Sequence, residues 1–182
     1  MKSTLLALLL FCCLLYPLFV ILWNPFVVSV FSQGSYEQVQ EVIQQVQGGP
    51  MPQQYSEQEV LHMQDVAQLY VYFSILFYWC WFLFIVTILY TSISWRIVLQ
   101  QISILASIFV VVGILSTLFF SVAFELFHLL LFTNDLWLLP ADSYLLSLFD
   151  EQFFRSMLLV ILFYIASIGV SSWLWYRYKC IN

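Results

Sequence analysis

"VAQLYVYFSILFYWCWFLFIVTILYTSISW", residues 66–95, runs for 30 positions without a charge. It exceeds the roughly 20 helical residues that cross a bilayer. Three further uncharged runs flank it: Leu5 to Leu22, Ile97 to Phe124 and Ser156 to Tyr176. None shows the two-residue alternation of a barrel strand, and unpaired backbone groups in lipid cost several kcal/mol each, so all four read as helices. The rest of the composition agrees. Of 182 residues, 63% are hydrophobic and only 8% charged, against roughly 25% charged in a soluble domain. The expected fold class is an all-α membrane protein with four transmembrane helices, at about 4–31, 66–92, 97–124 and 154–177. Outer segments at about 32–65 and 125–153 should form a small extracellular cap on a single membrane domain spanning 1–182.

The first run resembles a signal peptide in that Lys2 precedes an apolar core, but no small-x-small cleavage site follows and "WNPFVVSVF" prolongs it. It reads as a spanning helix kinked at Pro17. Phe11 also spoils the "LLLFCC" stretch as a lipobox. Cys12, Cys13, Cys80 and Cys180 show no metal-ligand spacing and read as apolar filler.

Alternate loops place four of the five basic residues (Lys2, Arg96, Arg177 and Lys179, but not Arg155) on the side of the termini. The positive-inside rule then makes both termini cytoplasmic. All ten acidic residues, and both histidines, fall on the outer side or at its boundary. Groups that titrate near neutral pH are thereby gathered on one face of the membrane.

In "SYEQVQEVIQQVQGGP" (35–50), Val39, Val42, Ile43 and Val46 keep helical spacing, Ser35 and Gln38 form a capping box, and Gly48-Gly49-Pro50 stops the element. It reads as an amphipathic helix on the membrane surface or, more simply, a Gln-rich linker. A second capping box, Ser56 with Glu59, opens "SEQEVLHMQDVAQLY" (56–70), a helix that runs on into the second span and carries His62. In the second outer segment, "TND" and Pro140 mark turns, "DSYLLSLF" (142–149) is a short amphipathic element, and "DEQ" (150–152) caps the fourth span.

Asp65 lies three residues after His62 and Glu125 three before His128, so each imidazole has a carboxylate one turn away to fix its tautomer, and Glu59 offers His62 another. A lone histidine at a membrane boundary is often only an interfacial amphipath; two on one side at similar depth suggest acid-base work. The Glu-x-x-His pairs Glu59–His62 and Glu125–His128 also suit a carboxylate-bridged di-metal bundle. That site wants further glutamates, which the first and fourth spans lack. No G-x-S-x-G, phosphate loop or nucleic-acid patch is present, and an isoelectric point near 4.7 argues against anionic partners such as nucleic acid. Tyr55, Tyr70, Tyr72 and Phe73 cluster near His62, and Phe124, Phe127, Phe132 and Trp137 near His128. They read as core or interfacial belt, or else as the lining of an acyl-bearing pocket.

"E-x-x-HM-x-DV" (59–66) and "F-x-x-FH-x-x-x-F-x-NDLW-x-L" (124–139) together resemble the two signature regions of the bacterial lipoprotein intramolecular transacylase (Lit) family, in the same order and setting. The resemblance implies catalytic histidines at His62 and His128. It also implies transfer of the sn-2 acyl chain of a diacylglyceryl-modified lipoprotein cysteine to that cysteine's own α-amino group, giving the lyso form. Asp65, Glu59, Glu125, Asn134 and Asp135 would support the pair, and Tyr70, Phe73, Phe124, Phe127, Phe132 and Trp137 would line the substrate pocket, with Asn134 or Trp137 donating hydrogen bonds to substrate. The partners would be the diacylated lipoprotein and membrane lipid. An ester-to-amide exchange is downhill and needs no nucleotide, redox cofactor or metal. Against this reading stand a metal-dependent membrane enzyme and a non-catalytic accessory membrane protein.

Overall fold

A computed structural model describes residues 2–50 and 54–181, with the side chains of 179–181 excepted, so Lys179 and Cys180 lie outside the described side chains. Among the described residues there are eight helices and no strand: α1 (Lys2–Leu22), α2 (Pro25–Phe31), α3 (Tyr36–Val46), α4 (Glu57–Tyr90), α5 (Trp95–Leu118), α6 (Phe120–Leu131), α7 (Tyr144–Leu148) and α8 (Glu151–Ile181). Of these α1, α4, α5 and α8 are long and apolar enough to cross a membrane. At 34 residues α4 is about 51 Å long, well beyond the ~30 Å hydrocarbon layer. Its uncharged part begins at Val66, which leaves Glu57 to Asp65 as a polar extension outside the crossing stretch.

Two spans are broken where the sequence was read as continuous. The first does not run through 4–31. α1 passes Pro17 without interruption and ends at Leu22, and Asn24 then caps α2, its Oδ1 accepting from Phe26 N (3.0 Å) and Val27 N (3.3 Å). Pro25 decides the break, because it has no N–H to continue α1 but suits the first position of a new helix. The third run is split at Phe119, whose φ of −113° and ψ of 48° separate α5 from α6. Arg155 Nη1 donates to the Thr117 carbonyl (3.4 Å) at that break.

The described residues gather into two compact units, one drawn from 2–19, 74–115 and 159–181, the other from 20–50, 54–73 and 116–158. In the first, Leu6, Ala7 and Phe11 of α1 pack with Val98, Ile102 and Ala106 of α5 and Ile165 of α8. Close approach of α5 and α8 depends on small residues: a Cβ on Gly113 would lie 2.1 Å from Leu162 Cδ2, and one on Gly169 would lie 3.0 Å from Ala106 Cβ. Cys13 and Cys80 are buried beside Leu9 as free thiols.

In the second unit both capping boxes form as the sequence predicts. Ser35 N donates to Gln38 Oε1 (2.8 Å) and Gln38 N to Ser35 Oγ (3.4 Å). Ser56 N donates to Glu59 Oε2 (2.7 Å) and Glu59 N to Ser56 Oγ (3.3 Å). The apolar stripe of α3 is covered by protein rather than turned to the membrane surface. Val39 and Ile43 pack on Val28, Phe153 and Met157, and Val42 and Val46 on Met63, Leu145 and Leu148. Gly48, at φ +100°, takes the left-handed position that ends α3. At the start of α8, Asp150 Oδ1 accepts from Phe153 N (2.8 Å) and Glu151 pairs with Arg155 (2.6 Å).

Candidate active site

The polar extension of α4 and the end of α6 bring the two histidines together, with ring centroids 6.4 Å apart and planes inclined at 36°. Both belong to the second unit. Phe132, just beyond α6, touches both rings, at 5.3 Å from His62 and 5.7 Å from His128. His128 is 7% exposed. Phe124 (4.2 Å), Phe127 (5.3 Å) and a nearly parallel Trp137 (4.7 Å, 25°) surround it.

What orients each ring differs from the reading by spacing. His128 Nδ1 lies 2.7 Å from the Phe124 carbonyl oxygen, which only accepts. The proton is therefore on Nδ1, and in the neutral ring Nε2 carries the free lone pair. Glu125, expected in that orienting role, is exposed and makes no contact with the imidazole among the described interactions. His62 Nδ1 is buried without a hydrogen-bond partner among the described residues. Asp65 does not bond it; its Oδ2 accepts from Asn134 Nδ2 (2.9 Å), while Asn134 Oδ1 accepts from Leu136 N (3.0 Å). Glu59 does not bond it either. That carboxylate, 2% exposed, accepts from Ser143 Oγ (2.6 Å) and Leu145 N (2.8 Å) through Oε1.

These contacts form a seam. Gln58, His62 and Asp65 occupy i, i+4 and i+7 on α4, one face of the helix. Gln58 Nε2 donates to the Leu136 (3.2 Å) and Leu138 (3.0 Å) carbonyls, and Asp65 holds Asn134, so residues 134–138 are tied along this face with His62 between the ties. Gln58 and Ser143 were missed from the sequence; the i−4 relation of Gln58 to His62 was the available signal. Farther along α4, Tyr70 packs edge-on against Trp23 (5.2 Å) and Phe73 is 39% exposed. Asp135 is exposed, its carbonyl accepting from Leu138 N (3.1 Å).

Burial lowers the pKa of both histidines. His62 falls to about 4, through burial first and the neighbouring His128 second, against an opposing pull from Asp65. His128 is lowered by burial, with the Phe124 carbonyl favouring its charged form and so moderating the fall. Burial would raise the Glu59 pKa, but its hydrogen bonds to Ser143, Leu145 and Ser56 outweigh that and keep it ionised. Both imidazoles are thus neutral near pH 7. Among the described residues no three His, Cys, Asp or Glu side chains come together as metal ligands.

The family model for lipoprotein intramolecular transacylase Lit matches residues 36–154, more than half of the chain and all of this site. The chain belongs to the Lit family. It is accordingly an acyltransferase acting on lipoproteins, embedded in the membrane by several spans. The Lit fold is also seen in the in meso structure of the membrane integral lipoprotein intramolecular transacylase from Bacillus cereus, to which this chain is similar with a TM-score of 0.67 and 19% identity. The match covers 100% of this chain and 93% of that one. No curated protein matches the chain.

Proposed function

We propose that the protein transfers the sn-2 acyl chain of a diacylglyceryl-modified lipoprotein cysteine to the α-amino group of the same cysteine, leaving an N-acyl S-monoacylglyceryl lyso form. The observation that carries the reading is the facing pair of neutral imidazoles, 6.4 Å apart in an aromatic enclosure, with the His128 proton held on Nδ1. An α-amino group has a pKa of about 7.7–8.0 and is mostly protonated at neutral pH. His128 Nε2 takes a proton from it, and His62 donates to the ester as charge develops on the acyl oxygen or on the departing glyceryl oxygen. Because amine and ester belong to one molecule, holding them together contributes part of the roughly 7–11 kcal/mol available from proximity and orientation. Phe124, Phe127, Phe132 and Trp137 line the acyl environment, with Tyr70 and Phe73 farther along α4. Asp65, Asn134 and Glu59 position the loop that closes it.

The site faces the outside and both termini the cytoplasm. The charge partition supports this: all ten acidic residues and both histidines belong to the second unit, and four of the five basic residues to the first. Expression in a bacterial host that makes only diacylated lipoproteins tests the reaction. Mass spectrometry of the N-terminal lipopeptide should reveal N-acylated, singly O-acylated product, and persistence of the diacyl form alone would refute the proposal.

A further inference from the structure

The two side chains that the sequence offers as substrate donors are not equivalent. Asn134 uses its amide N–H on Asp65 (2.9 Å) and its oxygen on Leu136 N (3.0 Å). Trp137 Nε1 is buried and has no hydrogen-bond partner among the described residues. An indole N–H can only donate, and a buried donor left unmatched is costly, so the site lacks an acceptor that a ligand would bring. The indole stacks on His128 with centroids 4.7 Å apart and planes at 25°, too close for a third group between them. The N–H lies in the indole plane, so an acceptor meets it at the ring edge and not on the stacked face. An ester carbonyl has that chemistry: an oxygen acceptor that gains negative charge as the carbon is attacked.

We propose that the Trp137 N–H donates to the acyl carbonyl oxygen and holds the oxyanion as it forms; this rests on the acyl-transfer reading above. The cysteine nitrogen adds to the carbonyl carbon, a C–N bond forms, and the C=O electron pair moves to the oxygen facing Trp137. When that pair returns, the C–O bond to the glyceryl group breaks, and the proton lost by nitrogen ends on the glyceryl oxygen. Atoms and electrons balance without an added reactant.

The test replaces Trp137 in the full-length protein with 3-benzothienylalanine, which keeps the outline and stacking surface of the indole but has no N–H. Conversion of a synthetic diacylglyceryl lipopeptide in liposomes is followed across pH. Loss of one oxyanion donor should lower kcat on the order of 10²-fold, leave KM little changed and leave the pH profile in place. Trp137→Phe should do the same if the stack persists. A wild-type kcat in the isosteric variant overturns the assignment. So does a fall in kcat accompanied by a shifted acid limb, because that reports disturbance of His128 rather than loss of a donor. Failure of the wild-type protein to make the lyso product would overturn the acyl-transfer reading and this inference with it, whereas an active wild type with an unaffected variant overturns only the inference.

Discussion

At the scale of single residues, the proposed acid-base chemistry depends on which ring nitrogen is free and when it charges. The Phe124 carbonyl fixes the His128 proton on Nδ1, and burial lowers the pKa of both rings from the ordinary histidine value of about 6.5, that of His62 to about 4. The acid limb of kcat due to the enzyme should therefore lie below pH 6.5, measurable with a substrate analogue in which the amine is kept unprotonated. Stability has the same sign. The unfolded chain takes up a proton on His62 near pH 6.5 while the folded chain resists until about 4, so this contribution is present above 6.5 and lost as pH falls through that window. His62→Asn should flatten the dependence of melting temperature on pH between 6.5 and 4; an unchanged slope would contradict the assignment. The two histidines were legible in the sequence because they are the only ones and lie beside apolar runs. Their orienting partners were not. Spacing nominated Glu125, Asp65 and Glu59, yet a backbone carbonyl holds His128, and carbonyls leave no mark in a sequence.

At the scale of elements, the capping boxes, the stop at Gly48 and the helix carrying His62 were readable because each is local: a side chain bonding backbone three residues away. The seam between α4 and residues 134–145 is not local, and nothing in the sequence pairs Gln58 with Leu138 or Glu59 with Ser143 across about 80 positions. Removing the buried Glu59 acceptor strands Ser143 Oγ and Leu145 N, at roughly 1–3 kcal/mol for each stranded group. Glu59→Ala should accordingly lower the melting temperature in detergent and weaken conversion, and Glu59→Gln, which keeps an acceptor oxygen, should recover part of both. An alanine variant that melts like the wild type would show the seam to be dispensable. In the first unit, Gly113→Leu should separate α5 from α8, since the first added carbon already meets Leu162. A lower melting temperature, partly recovered by Leu162→Ala, is the expected result.

At the scale of the whole molecule, hydropathy alone revealed four spans, because a bilayer demands long apolar helices whatever the sequence detail. The breaks at Asn24 and Phe119 were harder to see. The surrounding residues stay apolar through both, so composition does not change where the backbone does. The charge partition makes orientation measurable. A cysteine at Gln44, exposed on α3, should react with a membrane-impermeant maleimide in intact cells, and one at Arg96 only after permeabilisation. Labelling in the reverse order would place the histidines on the cytoplasmic side. The central claim, that two facing histidines carry out lipoprotein acyl transfer, is tested most directly by single-turnover conversion of a diacylglyceryl lipopeptide by wild type, His62→Asn and His128→Asn in liposomes. Each variant is expected to keep the wild-type elution profile and lose on the order of 10²-fold or more in rate. Near-normal conversion by either variant would contradict the claim.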